Sequence, residues 1–270
     1  MQLPLLGSNE INNSLRLSVS RVKVWDQCKA QYHFTYILKL PQKEQAHHVL
    51  GKAVHMILEL FHLDYLNGTK EPKNKVMSRA YKSAFEKYGS KITNDMRKEI
   101  YQIIDSYLKG LSEKRITINN ILSVEKHFNI PISNNVSLNG MIDRIQRDED
   151  GMLHICDYKS TKNKRYLKDD FLQLLTYAYT LFVEDPSLEK VRGSYILLRH
   201  NFEYLTKVFN KDEIIQIKDM YDNYAKQIEQ EKDWAPTTSK LCNYCSFLDK
   251  CDAGKEFMVK DIKFGQVNWR

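Results

Sequence analysis

The chain has 270 residues, of which 42% are hydrophobic and 28% are charged, so it can bury a core and is not expected to be disordered. Its ten glycines and six prolines are too few for a turn-rich β-sandwich and favour long helices. No stretch approaches the roughly 20 apolar residues of a membrane-spanning helix. Residues 1–7 lack the basic and apolar parts of a signal peptide. We therefore expect an intracellular, cytoplasmic protein with no membrane partner.

The charged residues have a basic excess, with 41 Lys and Arg against 34 Asp and Glu and a net charge of +7. This excess is compatible with a polyanionic partner such as nucleic acid, and equally with a lysine-rich surface that only keeps the protein soluble. The five cysteines are an odd number in a compartment expected to be reducing. Metal ligation is therefore a better explanation for them than disulfides.

Residues 18–115 predict a helical region. After a loose leading segment over residues 1–17, Ser18 or Ser20 caps a helix that runs to about Leu38. Further helices are predicted over about 46–66, 75–88 and 94–114 from apolar residues at helical spacing. The residues expected to face the core are Val54, Ile57, Leu58, Phe61 and Leu66 in the first of these helices and Ile100, Ile103, Ile104, Tyr107 and Leu111 in the last.

Residues 120–231 predict a mixed sheet with helices packed on it. Strands are expected over about 122–130, 136–147 and 152–159, and the last two form a hairpin around the turn residues Asp148–Gly151. A polar loop and a helix over about 171–183, capped by Asp169 or Asp170, come next. The pattern then predicts a second hairpin over about 191–209.

A long amphipathic helix over about 211–231 ends this region. Asn210 is its predicted cap, and Glu213 is placed as the capping-box partner. Everything after Trp234 is predicted to be irregular.

The first hairpin brings carboxylates together. If it folds about the 148–151 turn, Asp143 and Asp157 face each other or lie one diagonal apart. Two carboxylates this close repel each other unless a proton or a divalent cation lies between them. Asp157 and Lys159 are two residues apart and share one face of the strand. Glu125, on the preceding strand, is a candidate third carboxylate.

Such an arrangement suits metal-dependent hydrolysis of phosphodiesters. Oxygen ligands suit Mg²⁺ or Mn²⁺, which polarise the phosphate and lower the pKa of a bound water, while Lys159 can orient or activate that water. The alternative is a surface hairpin with a salt bridge, because D-x-K is a common triplet. His55 lies among aliphatic neighbours, where a histidine is more often a core residue. Gln173 and Tyr177 are four residues apart, so their side chains lie on the same face of a helix. The alternative is that this is an ordinary helix face with no role in the site.

Three cysteines lie close together near the C-terminus. Cys242, Cys245 and Cys251 form C-x₂-C-x₅-C, which can wrap one metal or cluster if Cys28 or Cys156 supplies a fourth ligand. Cys156 is expected to face the core as a small buried residue. Zinc and an iron–sulfur cluster both accept four thiolates, and the spacing does not choose between them. Three free cysteines in a tail are the alternative.

In combination, these motifs resemble the RecB-type branch of the PD-(D/E)XK nucleases, over about residues 18–251. Each motif is weak alone, and five in this order are specific. The segments that carry the resemblance are Ser18–Arg21 with Cys28 and Tyr32–Phe34, Gly51–Glu59 (G-x-x-x-H-x-x-L-E), Gly140–Asp143 (G-x-x-D), Asp157–Lys159 ((D/E)-x-K) and Gln173–Tyr177 (Q-L-x-x-Y).

The resemblance implies a restriction-endonuclease-like α/β fold, a mixed β-sheet core flanked by helices, with an N-terminal helical region and a Cys-rich C-terminal tail. We expect a single nuclease domain over 18–251, made of a helical lobe (18–115), a mixed sheet core (120–231) and a cysteine cluster segment (234–251). A basic tail over 252–270 follows.

The implied activity is that of a metal-dependent DNA nuclease in DNA repair, recombination or replication. An exonuclease on single strands or DNA ends is favoured. We expect a closed channel, held by a cysteine cluster that links the first helix to the C-terminal tail, and such a channel admits a threaded strand more readily than an uninterrupted duplex. The chain lacks G-x-x-x-x-G-K-(S/T), so it acts alone or in a larger assembly with a helicase or recombination partner. The rivals are a non-catalytic nucleic-acid-binding module and a zinc-stabilised adaptor that kept the fold.

The resemblance also implies roles for residues. The implied metal ligands for Mg²⁺ or Mn²⁺ are His55, Asp143, Asp157 and the backbone carbonyl of Tyr158. Lys159 assists the water, and Gln173 and Tyr177 support the site or touch the phosphate. The basic loop residues expected to meet the DNA backbone, or to be merely solvated, are Lys162, Lys164, Arg165 and Lys168.

The cysteines are similar to those of a subset of this branch that includes the AddB nuclease domain and the CRISPR adaptation nuclease. That similarity implies a [4Fe–4S] cluster, with zinc as the alternative occupant, on Cys28, Cys242, Cys245 and Cys251. One departure is Lys29, which stands where the family usually has proline. Since proline is not a ligand, the departure leaves the expected cluster in place.

Overall fold

A computed structural model describes residues 15–43, 45–118, 120–168 and 170–265, with the backbone alone at positions 47, 166, 215 and 261–265. The helices are α1 (Val19–Gln27), α2 (Lys29–Tyr32), α3 (Ala46–Leu66), α4 (Lys73–Tyr88), α5 (Asn94–Ser112), α6 (Leu172–Glu184), α7 (Ile215–Gln230) and α8 (Asp252–Gly265). The strands are β1 (Leu15–Leu17), β2 (Ile121–Ser133), β3 (Val136–Arg147), β4 (Leu153–Lys159), β5 (Lys190–Leu197) and β6 (Glu203–Asn210). No helix in this described part of the chain is both long and apolar enough to cross a membrane.

The strands form a mixed, six-stranded sheet in the order β1-β3-β4-β5-β6, with β2 also paired to β3. The β3–β4 and β5–β6 pairs are antiparallel, whereas β4 and β5 are parallel and are joined through α6, as a parallel pair requires a crossover. The register of the first hairpin pairs Arg144 with Cys156, which is the predicted alignment. Continued by one residue, it sets Asp143 opposite Asp157. The α/β class with a sheet flanked by helices is confirmed.

Residue contacts group the chain into two compact units. The first contains the described residues up to 43, with 132–137 and 221–265, and the second contains 45–131 and 138–220. The single domain over 18–251 and its three segments stay a prediction. In the second unit, the predicted stripe of α3 is buried at Val54, Ile57, Leu58 and Phe61, all 0% exposed. Leu66, at the end of α3, is 38% exposed, so its assignment to the core was wrong.

The first helix is not continuous to Leu38, contrary to the sequence prediction. Ser18 caps α1 by accepting a hydrogen bond from the Arg21 N–H at 3.3 Å. The helix then ends at Cys28, whose φ of −167° and ψ of 114° are extended and cannot continue an α-helix. The chain resumes as α2 and a π-helical turn over His33–Ile37. Apolar spacing could not reveal this break, because it recurs on both sides.

Both ends of the described chain hold structure that the sequence did not predict. Strand β1 lies within the segment expected to be loose, and the Leu15 N–H donates to the Asn135 carbonyl at 2.7 Å. The region after Trp234 was expected to be irregular, but α8 follows the cysteines. The expected basic tail is therefore helical to residue 265, and positions 266–270 lie outside the described residues.

The caps in the second half are largely as expected. The Glu213 carboxylate accepts the Asn210 N–H at 2.9 Å, which confirms their pairing, although residues 211–214 form a 3₁₀ turn before α7 begins. The Asp170 carboxylate accepts the Leu172 N–H at 3.4 Å. The other candidate cap, Asp169, lies outside the described residues.

Candidate metal centre and cysteine site

The carboxylates predicted on the first hairpin lie in the second unit. Asp143 is 9% exposed and Asp157 is 2% exposed. The Tyr158 N–H donates to Asp143 Oδ2 at 2.7 Å, which fixes that carboxylate against β4. His55, on α3, places Nδ1 3.5 Å from the same oxygen. Its side chain is 31% exposed, so it lies at the site and not in the core.

Glu125 completes a compact group of metal-ligand atoms. It has a φ of 48° inside β2, a left-handed backbone that is unusual for a residue other than glycine and that is often found at functional sites. One ligand atom from each of His55, Glu125 and Asp143 lies within 4.8 Å of the others. Asp157, expected to be a ligand, is not a member of this group.

The acidic residues are held in an environment that disfavours their charge. Burial, together with the nearby Asp157 carboxylate, raises the pKa of Asp143 to about 6, against the opposing effect of His55. Burial, with smaller contributions from the Asp143 and Glu59 carboxylates, raises the pKa of Glu125 to about 8. Carboxylates that are crowded and shielded from water in this way are stabilised by a cation.

A hydrogen-bonded network ties Asp157 to Lys159. Gln173, on α6, donates from Nε2 to Asp157 Oδ1 at 2.9 Å and accepts at Oε1 from Lys159 Nζ at 2.8 Å. Lys159 Nζ also lies 2.5 Å from Asp157 Oδ2, outside hydrogen-bond geometry, and Oδ2 has no hydrogen-bond partner. This buried oxygen is therefore paired by charge with the ammonium, although it receives no hydrogen bond.

Two aromatic residues hold this network from outside. Tyr177 accepts a hydrogen bond from Gln173 Nε2 at 2.7 Å, and its ring packs edge-on against Phe128 with centroids 5.8 Å apart. Lys159 Nζ lies 5.0 Å from the centre of the Tyr195 ring. Gln173 thus contacts Asp157 and Lys159 directly, whereas Tyr177 contacts Gln173; their roles at the site stay predictions.

The opposite face of β4 carries a different set of polar groups. Cys156 is 0% exposed and belongs to the hydrophobic core, as predicted. Its neighbour is the fully buried Arg144, which donates from Nη2 to Cys156 Sγ at 3.3 Å and lies 3.2 Å through Nη1 from His62 Nε2. Cys156 is therefore engaged within the second unit.

The other four cysteines come together in the first unit. Cys28, Cys242, Cys245 and Cys251 line one cavity, together with Phe34 and Phe247. Burial raises the pKa of Cys245, and the three neighbouring thiols raise it further, so the four sulfur atoms are close enough to interact. The backbone N–H groups of Ser239 and Gly254 donate to Cys242 Sγ and Cys251 Sγ, each at 3.4 Å.

The basic loop after β4 contains a short 3₁₀ turn over Lys164–Leu167. Lys164 forms an ion pair with Glu203 at 2.5 Å. A DNA contact by Lys164 would have to compete with this pair, and DNA contacts by Lys162, Arg165 and Lys168 stay predictions.

Sequence reasoning missed several residues at the site. Glu59 lies four residues after His55 on α3, a spacing that could have placed it on the same face. Tyr195 comes from the parallel neighbour β5, and no sequence signal placed its ring at Lys159. Lys87 and Tyr88, at the end of α4, line a groove beside His55 and Glu125. Only the packing of α4 on α3 brings them there.

Comparisons with known proteins agree with this geometry. The model of the PD-(D/E)XK nuclease superfamily matches residues 16–252. Two relatives, each a component of the ATP-dependent helicase/deoxyribonuclease, come from Streptococcus pyogenes serotype M3 (strain ATCC BAA-595 / MGAS315) and serotype M6 (strain ATCC BAA-946 / MGAS10394). They are 28% and 27% identical to this chain over 158 residues. The match covers 56% of this chain and 14% of each relative, so it spans a small part of their length.

A solved structure shares the fold. The crystal structure of "Putative exonuclease" from Eubacterium rectale matches with a TM-score of 0.52, over 95% of this chain and 93% of that one, at 10% identity. At this identity the likeness is one of fold.

Proposed function

The chain belongs to the PD-(D/E)XK nuclease superfamily, and from this premise we propose that it is a metal-dependent deoxyribonuclease. The observation that carries the proposal is the joining of Asp157 to Lys159 through Gln173, beside the group of His55, Glu125 and Asp143. The complete set of acidic and basic groups argues against a binding module that has lost catalysis.

The donor atoms fit a divalent metal. Two carboxylates with raised pKa values, one imidazole and the Asp157 carboxylate, which is paired with Lys159, form a mainly oxygen set of the kind that Mg²⁺ or Mn²⁺ prefers. We propose His55, Asp143, Asp157, Glu125 and the carbonyl of Tyr158 as ligands. Such a metal would polarise the scissile phosphate and lower the pKa of a bound water.

The chain's own groups prepare the reaction in this proposal. Gln173 orients Lys159 and Asp157 as one unit, so that the ammonium is held where it can orient a water or balance charge on the phosphate. Tyr177 limits the rotation of Gln173. In this scheme Gln173 and Tyr177 are positioning residues, because their contacts are with side chains and need none with the phosphate.

We propose DNA as the substrate, in single strands or at free ends, with exonucleolytic cleavage in repair, recombination or replication. The relatives carry the name of an ATP-dependent helicase/deoxyribonuclease, which supports DNA and a helicase partner. The test is incubation with end-labelled single-stranded, duplex and circular DNA, with and without Mn²⁺ or Mg²⁺. Cleavage of circles as fast as linear strands would contradict the exonuclease, and no cleavage of any DNA with metal would contradict the function.

We also propose that Cys28, Cys242, Cys245 and Cys251 hold a [4Fe–4S] cluster. The four cysteines line one cavity, and the similarity of their spacing to that of the iron–sulfur subset of this branch favours the cluster over zinc. The N–H groups directed at two sulfur atoms suit thiolates.

Iron and sulfide analysis of anaerobically purified protein tests the cluster. We expect absorbance near 400 nm in the wild type, loss of iron in Cys28→Ser, and full iron in Cys156→Ser as the matched control. A cluster that links Cys28 to Cys242 closes a loop of more than 200 residues. Because this link restricts the unfolded chain, it should stabilise the fold by at most about 5 kcal/mol, which Cys28→Ser would lose. Zinc in place of iron, or iron lost in Cys156→Ser alone, would contradict the assignment.

A further inference from the structure

A groove with a volume of about 330 Å³ opens beside the candidate metal centre in the second unit. This volume is at the lower end of the range for small-molecule sites and can hold one nucleotide. His55 and Glu125 are among its lining residues. The lining residues that the metal proposal does not use include Lys52, Met56, Lys87, Tyr88 and Met141.

The groove changes charge along its length. Lys52, His55, Met56 and Glu59 follow one another at helical spacing on one face of α3. Lys52 and Glu59 are seven residues apart, about 10 Å at 1.5 Å per residue. The acidic end coincides with the metal ligands, and Lys87 of α4 lines the groove together with Lys52. A polyanion whose one phosphate lies at the metal centre would find ammonium groups for the next phosphate.

The other walls of the groove include aromatic and thioether groups. Met141 is 37% exposed and stands two residues before Asp143, on the same face of β3. Lys87 Nζ lies over the Tyr88 ring, 5.3 Å from its centre, so one face of the ring carries a positive charge. Tyrosine and methionine both make favourable contacts with the flat face of a nucleobase.

We propose that this groove binds one unpaired nucleotide of the DNA substrate, next to the scissile phosphate, with its base against Tyr88 and Met141 and its far phosphate at Lys52 and Lys87. The inference rests on the proposed function, because it places the scissile phosphate at the metal centre. It adds a reason for selecting single strands, because a base whose flat face lies against Tyr88 and Met141 has left the stack of a duplex.

The base contact is tested by pairing a protein change with a substrate change. Single strands with an abasic residue at each position flanking the cleaved bond are compared with intact strands, for the wild type, Tyr88→Leu and Tyr88→Phe. We expect kcat/KM to fall about tenfold for Tyr88→Leu on intact DNA and about tenfold for the wild type on one abasic strand. Combined, the two changes should cost little more than either alone, and Tyr88→Phe should stay within about twofold of wild type.

The matched control is Tyr101→Leu, at a tyrosine on α5 that is 65% exposed and does not line the groove; its activity should be unchanged. Equal cleavage of abasic and intact strands by the wild type would overturn the inference, and this result needs no folded variant. A fully additive loss in Tyr88→Leu would overturn it too, because the ring would then act through the fold alone.

The phosphate contact has a readout that needs no cleavage. Binding of a fluorescein-labelled single strand to Lys159→Ala protein is measured by anisotropy over a range of salt concentrations. Adding Lys87→Ala should reduce the salt slope by about 0.7, the value of one phosphate contact on a single strand, and Lys82→Ala on the same helix should leave it unchanged. An unchanged slope in Lys87→Ala would overturn the phosphate contact. An inactive wild type that gives these binding results would contradict the proposed function and support the groove.

Discussion

The two faces of β4 both bury charged or polar groups, but they treat them differently. On one face, Asp157 and Lys159 contact Gln173, and Asp143 and Glu125 have raised pKa values. On the other, the guanidinium of Arg144 contacts Cys156 through Nη2 and His62 through Nη1, while its Nε has no hydrogen-bond partner. The first face crowds carboxylates together, whereas the second surrounds one guanidinium with side chains that are not carboxylates.

The second face shows how a buried charge is stabilised without a carboxylate. Burial alone disfavours the charge on Arg144, yet Tyr158 and Cys156 hold its pKa well above the ordinary value. Burial and the same guanidinium lower the pKa of His62, so a neutral ring can accept the hydrogen bond from Arg144. Neighbouring residues on one strand therefore serve two purposes, chemistry on one side and stability on the other.

The largest expected effect comes from breaking the first face. Asp157→Asn keeps the shape of the side chain but removes its charge, which we expect to reduce cleavage at least about a thousandfold while the thermal midpoint stays near wild type. Steady-state cleavage and circular dichroism measure the two effects. Asp105→Asn, at the exposed i,i+4 pair with Lys109, is the control. More than about a tenth of wild-type activity in Asp157→Asn would refute its role.

Breaking the second face should act on stability. Arg144→Ala leaves a cavity and removes the partner of His62 and Cys156, so we expect a loss of about 3 kcal/mol in the free energy of unfolding. Arg144→Met, which fills the space with an apolar chain, should lose clearly less. Urea denaturation compares the two. If Met is as destabilising as Ala, the guanidinium itself is needed and the shape of the side chain is not the main factor.

The features of these faces that were predictable from the sequence are those determined by residues close together in the chain. The β3–β4 register followed from the Asp148–Gly151 turn, whose Gly151 N–H bonds to the Asp148 carbonyl at 2.9 Å, and it gave the Asp143–Asp157 pair directly. The cysteine spacing correctly grouped Cys242 with its neighbours. These features depend on a few residues that are close in sequence.

Features imposed by distant packing were not predictable from the sequence. The left-handed backbone at Glu125, the extended residue Cys28 between two helices and the ring of Tyr195 under Lys159 all depend on neighbours far away in the chain. Side-chain spacing carries no information about them. The groove residue Tyr88 belongs to the same class, since α3 and α4 must pack before it meets His55.

A smaller effect should appear in the pH dependence of the metal-free protein. A carboxyl group whose pKa is raised by folding binds more protons in the folded state than in the unfolded state. Between the two pKa values, stability therefore falls as pH rises. For Asp143 this fall should occur up to about pH 6, and for Glu125 it should extend to about pH 8.

Asp143→Asn removes the loss of stability that ionisation of Asp143 causes as the pH rises. At pH 8 and without metal, we expect its thermal midpoint to lie a few degrees above that of the wild type, and the difference should vanish near pH 4. Mn²⁺ should raise the midpoint of the wild type and not that of the variant. Calorimetry at the two pH values measures both effects. A wild type that is more stable than the variant at pH 8 without metal would contradict the prediction that the charged Asp143 carboxylate destabilises the fold.

The smallest effect is expected at the edge of the first face. Tyr177→Phe removes one hydrogen bond, from Gln173 Nε2 at 2.7 Å, and keeps the ring against Phe128. Gln173 retains its bonds to Asp157 and Lys159, so kcat should fall less than about tenfold, in line with about 1 kcal/mol for one hydrogen bond. KM should be unchanged if Tyr177 positions Gln173, and should rise if the hydroxyl touches the phosphate. Because the same substitution separates these two outcomes, the kcat and KM of this one variant decide between the roles predicted for the pair.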